Sequence, residues 1–131
     1  MKYLLDSNIC IYLINNRPAH VRDRLVMAGQ GNVGISALAF AELAFGVTKS
    51  LQPQSRQKLE DFIDKLTVLP WPKLAVWHYA RTRQALESTG RRISEMNLLI
   101  ASHALAEDLI VVTNNTREFE RVEGLKLENW V

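Results

Sequence analysis

Hydrophobic and polar positions along the chain fall into blocks that predict alternating strands and helices. Short apolar runs are typical of strands and occur at 2–5, 33–36, 67–70, 109–113 and 126–130. Apolar residues at helical spacing predict six helices. The first follows the first strand and extends to about residue 14, the fourth starts at Pro53, and the others cover 18–28, 37–49, 73–90 and 95–107. Strands that alternate with helices predict an α/β fold with three layers, α/β/α, around a central parallel sheet of four to five strands.

The run LIVVT at 109–113 is the strongest strand signal. A continuous apolar run is expected of a strand that is covered on both faces. In an open parallel sheet, ligands bind outside the carboxyl ends of the strands, where the strand order reverses. Residues that directly follow predicted strands are therefore the first candidates for a functional role.

Length and composition indicate one domain that needs no disulfide bond or structural metal. Residues 1–131 are enough to bury roughly two-thirds of the surface that the unfolded chain would expose. The single Cys10 lies in the apolar run NICIYLI, which favours a core thiol in a reducing compartment. The chain shows neither the order of segments of a signal peptide nor an apolar run of about 18 residues, so we expect a cytoplasmic protein with no membrane partner.

Charge is nearly balanced, with 16 lysines and arginines against 14 acids and a formal net charge of +2. This charge by itself indicates no nucleic-acid partner, but several arginines are clustered along the chain. They could form a basic rim that holds the phosphates of a nucleic acid, or they could be the solvated faces of ordinary helices. The five arginines that could form such a rim and contact a nucleic-acid backbone are Arg22, Arg24, Arg83, Arg91 and Arg92.

Two acids occupy positions from which they could take part in chemistry. Asp6 directly follows the first strand, where a carboxylate would project into the expected crevice, although Asp6 or Ser7 could simply cap the following helix. Glu42 shares a helical face with Leu38 and Phe45, which we expect to point inward. An acid on such a face is costly to bury unless it is paired or bound to a metal, but its carboxylate could also reach water.

Side-chain amides occupy three further positions of interest. Asn97 comes three residues after Ser94, so Ser94 could cap the helix, but Asn is a poor helix former and Glu or Gln is the usual partner. Asn114 and Asn115 follow the LIVVT run, where Asn is common in turns. The same amides could instead hold a metal-bound water or a phosphate.

Four segments, in this order, resemble the successive blocks of a known family. They are LLDSNICIYLI at 4–14, AELAFGV at 41–47, ISEMNLLIASHAL at 93–105 and VVTNNTREFERVEGLKLENW at 111–130. Over essentially its whole length the chain is similar to PIN-domain endoribonucleases, and among them to the VapC toxins of type II toxin–antitoxin systems. The last segment is the most specific part of the resemblance.

The resemblance implies a PIN-like fold and an acidic cluster that binds Mg²⁺ or Mn²⁺ for hydrolysis of RNA phosphodiester bonds. Asp6 and Glu42 match the first two acids of the family, and Asn97 stands where the third acid, normally an Asp, is expected. These three positions would be the metal ligands, and Asn115 falls near a fourth, more variable polar position. Ser94 replaces the family's usual glycine, a departure to which we assign no effect.

An amide at position 97 keeps an oxygen that can coordinate a cation but removes a full negative charge. Two unit charges about 4 Å apart interact by about 4 kcal/mol at an effective dielectric constant near 20, and about 1.4 kcal/mol corresponds to a factor of ten. We therefore expect greatly reduced cleavage with fold and RNA binding retained. Two origins of the amide fit the sequence. We favour an engineered substitution that inactivates a toxin, and the alternative is a natural substitution in which Glu95 supplies the missing charge.

The resemblance also implies partners. A VapB antitoxin would place a basic side chain in the acidic pocket, and the toxin would form a homodimer within a larger complex that contacts DNA only through the antitoxin. The substrate would be a structured RNA, often the anticodon loop of a tRNA. Apolar residues of the early helices and around Trp77 could form the surface between two toxin copies.

Two alternatives remain open. One is a catalytically silent PIN domain that acts only by binding RNA or the antitoxin. The other is an α/β binding module similar to a response regulator, which would need an Asp after a central strand and a Lys after a later one, whereas LIVVT is followed by two asparagines. His20, His78 and His103 show no spacing typical of metal ligands.

Overall fold

The computed structural model describes residues 1–131 and confirms the predicted α/β/α arrangement. Five parallel strands form one sheet in the order β3-β2-β1-β4-β5. They are β1 (Tyr3–Leu5), β2 (Val33–Ser36), β3 (Thr67–Leu69), β4 (Ile110–Val112) and β5 (Lys126–Glu128). All four residues of β2 are buried, so helices cover both faces of the sheet at its centre.

Seven α-helices connect the strands, and a short 3-10 turn at Gln30–Asn32 precedes β2. The helices are α1 (Ser7–Asn15), α2 (Ala19–Ala28), α3 (Ala37–Thr48), α4 (Ser55–Ile63), α5 (Ala75–Ser88), α6 (Glu95–Glu107) and α7 (Thr116–Phe119). None of them combines the length and the hydropathy that a membrane crossing requires.

Helix ends differ from the sequence predictions mainly at prolines. Pro18 has extended backbone angles and is the N-cap of α2, not its first residue. Pro53 lies two residues before α4, which begins at Ser55. The helix predicted over 73–90 is shorter, since the residues after Pro72 form a turn in which Ala75 N donates to Pro72 O at 3.0 Å. The predicted bounds of α6 are confirmed.

The hydrophobic core consists of one cluster around the central strands. Leu4 and Leu5 of β1, Ile35 of β2 and both valines of β4 are fully buried in it. Cys10 is also fully buried, which confirms the predicted core thiol, and burial raises its thiol pKa.

The strand order reverses between β1 and β4, and this reversal positions the polar residues that follow them. β2 and β3 lie on one side of β1, whereas β4 and β5 lie on the other. Leu5 pairs with Val112 at the carboxyl ends of the two strands, and Asp6 N donates to Val112 O at 3.0 Å. Asp6 and Thr113 therefore emerge next to each other at the place where open α/β sheets bind ligands.

Candidate active site

An open pocket of about 710 Å³ lies beside the carboxyl ends of β1 and β4. Three of the four residues predicted for catalysis, Glu42, Asn97 and Asn115, line it together. Other polar lining residues include Ser7, Asn8, Ser94 and Glu118. Asp6, the fourth predicted residue, is only 3% exposed and lies directly before Ser7, below the pocket wall.

Asp6 is a buried acid held by two short hydrogen bonds. It caps α1, with Oδ1 accepting from Asn8 N at 2.5 Å, and Oδ2 accepts from Thr113 Oγ1 at 2.5 Å. Burial raises the pKa of Asp6 above its ordinary value, the two hydrogen bonds oppose that change, and the nearby Glu42 raises the pKa further. The capping role and a role in chemistry are therefore compatible, since a cation nearby would favour the charged carboxylate.

Glu42 reaches the pocket from the solvent side of α3. Its side chain is exposed, and Oε1 accepts a hydrogen bond from Ser7 Oγ at 2.5 Å. The prediction that Phe45 points inward with it is wrong, because Phe45 is 65% exposed and Leu38 only partly buried. The buried face of α3 is instead formed by Ala39 and Leu43, four residues apart.

Asn97 lies in the first turn of α6 and is partly buried. Ser94 is the N-cap of this helix, as predicted, and its Oγ accepts from Asn97 N at 3.3 Å. The Asn97 side chain points to another acid, with Nδ2 donating to Glu118 Oε1 at 3.4 Å. The helix start explains the backbone of Asn97, whereas its amide belongs to the pocket.

Glu118 is an acid of the pocket that the sequence analysis missed. Its Oε1 also accepts from Ser94 N at 2.7 Å, and its Oε2 accepts from Asn115 Nδ2 at 3.2 Å. The Ser94 hydrogen bond, followed by those of Asn115 and Asn97, lowers the pKa of Glu118. Its position in α7, three residues after Asn115, is a signal that could have identified it, because such residues share a helical face.

Glu95 does not supply the charge that Asn97 lacks. Its Oε1 accepts a hydrogen bond from the Tyr79 hydroxyl of α5, and Glu95 lies in a separate small cavity with Arg83. The acid that contacts Asn97 is Glu118. The structure therefore contradicts the alternative in which Glu95 supplies the missing charge, because the Glu95 side chain contacts Tyr79 whereas that of Asn97 contacts Glu118.

The five arginines predicted for RNA binding do not line the pocket, and their role in RNA binding remains a prediction. Arg24 forms an ion pair with Glu128 at 3.0 Å, and Arg83 forms one with Glu87 at 2.7 Å. The others lie at three separate cavities: Arg22 near α4, Arg91 beside Arg121, and Arg92 beside Glu95. The basic residue that does line the pocket is Lys58 of α4, which no sequence signal singled out.

The donor set of the pocket fits a hard divalent cation. Carboxylate, amide and hydroxyl oxygens are the ligands that Mg²⁺ and Mn²⁺ prefer, and the site offers no thiol or imidazole. The acids do not form a ready-made metal-binding cluster of three, however. Each carboxylate is instead satisfied by neighbouring donors, with Ser7 on Glu42, Thr113 on Asp6 and Ser94 on Glu118.

His103 lies outside this chemistry. It is fully buried in α6, neither ring nitrogen has a hydrogen-bond partner, and Nε2 lies 3.5 Å from Glu107 Oε2. Burial lowers its pKa. It therefore acts as a packing residue of the core in this structure, in agreement with the absence of metal-ligand spacing in the sequence.

Comparison with known proteins agrees with this site. Residues 3–125 match the family model of the PIN domain. The chain is 42% identical to the tRNA(fMet)-specific endonuclease VapC of Shigella flexneri, with 99% of this chain and 98% of that protein covered. It is 41% identical to ribonuclease VapC2 of Rickettsia felis, again over 99% and 98% of the two chains.

Solved structures show the same similarity. A chain of VapBC2 from Rickettsia felis, in a structure with a DNA fragment from the promoter, superposes with a TM-score of 0.94 at 39% identity, with both chains fully covered. DNA-bound VapBC of Salmonella typhimurium also gives a TM-score of 0.94, at 38% identity, over 100% of this chain and 99% of that one. The chain therefore belongs to the PIN-domain family and, within it, to the VapC toxins of type II toxin–antitoxin systems.

Proposed function

We propose that this protein is a metal-dependent endoribonuclease that cleaves tRNA, and that its cleavage is impaired by the amide at position 97. The observation that carries the proposal is the meeting of Asp6, Glu42 and Glu118 with two amides at the reversal point of the sheet. Burial and the nearby Glu42 disfavour the charge on Asp6, and a cation bound at this pocket would offset that cost.

In this mechanism the chain holds the ion and orients the reacting groups. Asp6, Glu42 and the oxygen of Asn97 would hold Mg²⁺ or Mn²⁺, with Glu118 and Asn115 beside them. A bound divalent ion would stabilise the negative charge that develops on the phosphoryl and leaving oxygens. Ser7 fixes one oxygen of Glu42, which leaves the other free to accept a hydrogen bond from the attacking water.

Asn97 weakens this arrangement in two ways. It lacks the charge of the Asp that the family carries there, and its Nδ2 donates to Glu118 Oε1, which offsets part of that acid's attraction for a cation. The lost charge corresponds to about 4 kcal/mol at about 4 Å and an effective dielectric constant near 20. We therefore expect cleavage to be slower by roughly two to three orders of magnitude.

The substrate and partners are inferred from relatives. The Shigella flexneri protein is named as specific for tRNA(fMet), which makes this tRNA the first substrate to test. Three of the matched structures are VapBC complexes, and two of those three are bound to DNA, which supports a VapB antitoxin as partner. We propose a homodimer in that complex, with DNA contacted through the antitoxin and a basic antitoxin side chain entering the acidic pocket.

The decisive experiment compares the chain with its Asn97→Asp variant on purified tRNA(fMet) and total tRNA, in Mg²⁺, in Mn²⁺ and in EDTA. We expect at least a hundredfold faster cleavage by the variant in either metal and none in EDTA. The control combines Asn97→Asp with Asp6→Asn and should cleave roughly a thousandfold more slowly than Asn97→Asp alone. Equal rates for the chain and Asn97→Asp would contradict the impairment, and cleavage in EDTA would contradict the metal requirement.

A catalytically silent PIN domain is the second candidate, and the amide at position 97 is the observation that favours it. Such a protein would bind tRNA or VapB without cutting RNA. If Asn97→Asp bound tRNA and Mn²⁺ but left every RNA intact, the silent function would replace the nuclease.

A further inference from the structure

A second cavity adjoins the candidate active site and has a different chemical character. It has a volume of about 320 Å³ and is lined by five residues, Asn8, Ile11, Tyr12, Asn114 and Asn115. Asn8 and Asn115 also line the acidic pocket, so the two cavities are neighbours on the same surface. We refer to these five residues as the amide–tyrosine pocket.

Hydrogen bonds hold the ring of this pocket in place. Asn114 Nδ2 donates to the Tyr12 hydroxyl at 3.1 Å, and Asn114 Oδ1 accepts from Asn129 Nδ2 at 3.3 Å. Asn129 is in turn tied to the end of the chain, where Val131 N donates to its Oδ1 at 2.9 Å. The Tyr12 ring is partly buried against the core, so a ligand would meet a fixed aromatic surface.

Several groups of the pocket remain available to a ligand. The Asn8 side chain is exposed and its amide makes no hydrogen bond within the chain. The Tyr12 hydroxyl accepts from Asn114 but has no acceptor for its own proton. Ile11 is 47% exposed and adds apolar surface next to the ring. The pocket thus offers an aromatic ring, an aliphatic side chain and unpaired amide and hydroxyl groups.

None of the five lining residues carries a charge. A phosphate would therefore find no positive counter-charge here, and a cation would find no carboxylate of the kind that lines the acidic pocket. An unpaired nucleobase has the complementary chemistry, since single-stranded RNA is recognised by stacking on aromatic side chains and by hydrogen bonds to base edges. The unpaired Asn8 amide can donate to and accept from such an edge, and the Tyr12 hydroxyl can donate its proton to it.

We propose that the amide–tyrosine pocket binds one unpaired nucleobase of the RNA next to the scissile phosphodiester, with Tyr12 as the stacking surface. The inference rests on the proposed endoribonuclease function, because the active site fixes where along the RNA this base must lie. Tyr12, Asn8 and Asn114 are then the residues that decide which nucleotide beside the cut is accepted.

The test measures the binding of tRNA(fMet) transcripts to the unmodified chain, in which Asn97 should keep RNA cleavage slow. Each transcript carries an abasic nucleotide at a different unpaired position. At one or two positions the missing base should weaken binding by about tenfold, the usual effect of one stacked base. Tyr12→Ala should weaken the binding of intact tRNA by the same factor. It should cause no further loss of binding for the transcript that already lacks the critical base. Tyr12→Phe should keep the stacking effect.

Matched variants separate this role from a structural one. Phe45→Ala removes an exposed ring that lines neither cavity and should leave tRNA binding unchanged. Asn8→Ala removes an exposed side-chain amide that makes no hydrogen bond within the chain, so the variant should fold normally. We expect it to weaken the binding of intact tRNA several-fold and to leave the binding of the abasic transcript unchanged.

Cleavage mapping with Asn97→Asp then places the base relative to the cut. The sensitive position should lie within two nucleotides of the cleaved bond. Suppose that Asn97→Asp cleaves tRNA but Tyr12→Ala weakens the binding of intact and abasic transcripts equally. This result would contradict the base-binding pocket and leave the proposed nuclease function supported. Suppose instead that no RNA is cleaved, but the loss of binding caused by Tyr12→Ala still depends on the presence of one base. This result would contradict the nuclease function and support the base-binding pocket.

Discussion

The two halves of the acidic pocket hold their carboxylates in opposite ways. In the acidic half, formed by Asp6, Ser7 and Glu42, two acids receive hydroxyl hydrogen bonds, and the buried Asp6 has a raised pKa. In the amide half, formed by Asn97, Asn115 and Glu118, one acid receives three nitrogen donors once the Ser94 backbone N–H is included, and its pKa is lowered.

This difference shows which half depends on a cation. Glu118 is already stabilised as a carboxylate by the chain's own donors, whereas burial and the proximity of Glu42 oppose the charge on Asp6. We therefore expect the acidic half to contribute more than the amide half to the binding of a divalent ion. An Asp at position 97 would convert the amide half into a second acidic half, because it would replace the Asn97 donor by a charge facing Glu118.

The largest expected effect comes from removing the buried acid. In the Asn97→Asp background, Asp6→Asn should reduce tRNA cleavage and Mn²⁺ affinity by roughly a thousandfold, the effect of one unit charge about 4 Å from an ion. Single-turnover cleavage and calorimetric titration of Mn²⁺ would measure the two losses. Retention of a tenth of the activity would show that Asp6 acts only as the helix cap of α1.

A smaller loss is expected from the amide half. Glu118→Gln in the Asn97→Asp background should slow cleavage by about ten- to a hundredfold, since the partly exposed carboxylate is screened by water and keeps two donors, Ser94 N and Asn115 Nδ2. Comparison with Asp6→Asn under the same conditions measures the asymmetry directly. An equal loss for both variants would contradict the distinction between the two halves.

Stability in EDTA should change in opposite directions for the same two substitutions. Asp6→Asn should raise the free energy of unfolding by about 1 kcal/mol at neutral pH, because it removes a charge that burial disfavours. The amide oxygen can still accept from Asn8 N, and the amide nitrogen would donate to Thr113 Oγ1, which reverses the direction of that hydrogen bond. Glu118→Gln should lower it by about 0.5–1 kcal/mol, since three donors lose an ionised acceptor. Urea unfolding of each variant would check both signs.

The pH dependence separates the two stability effects. The pKa of Asp6 is raised in the folded state, so its destabilising effect is complete above that pKa and disappears as the pH falls to its ordinary value near 4. The pKa of Glu118 is lowered, so its stabilising effect persists to about pH 4 and is lost only below that. Between neutral pH and pH 4.5, the Asp6→Asn effect should shrink while the Glu118→Gln effect stays constant.

The smallest expected effect concerns the hydroxyl that holds Glu42. Ser7→Ala should reduce cleavage by about three- to tenfold in the Asn97→Asp background, because Glu42 loses a positioning hydrogen bond but keeps its charge. Unfolding free energy should change by less than about 0.5 kcal/mol, as the contact is exposed. Ser7→Thr, which keeps the hydroxyl, should restore the rate, and failure to do so would assign the loss to another cause.

Local patterns in the sequence were sufficient for the elements and for much of the site. Ser94 as the N-cap of α6 and strand β4 within the LIVVT run follow from short-range rules. The carboxyl ends of parallel strands meet at one edge, so Asp6 and the residues after β4 could be assigned to one crevice before any coordinates. Asn97 and Asn115 were found because the resemblance marks those positions.

Contacts between distant segments were decided only by the tertiary structure. Periodicity assigns a residue to a helical face but does not say which neighbour that face meets. It therefore predicts Phe45 inward, which is wrong, and it leaves open whether Glu95 reaches the site of Asn97. The hydrogen bond from Asn97 to Glu118 joins positions 21 residues apart, and that from Ser7 to Glu42 joins positions 35 apart. Such partners depend on how α1, α3, α6 and α7 pack around the sheet, because hydrogen bonds require side chains to meet within a few ångströms.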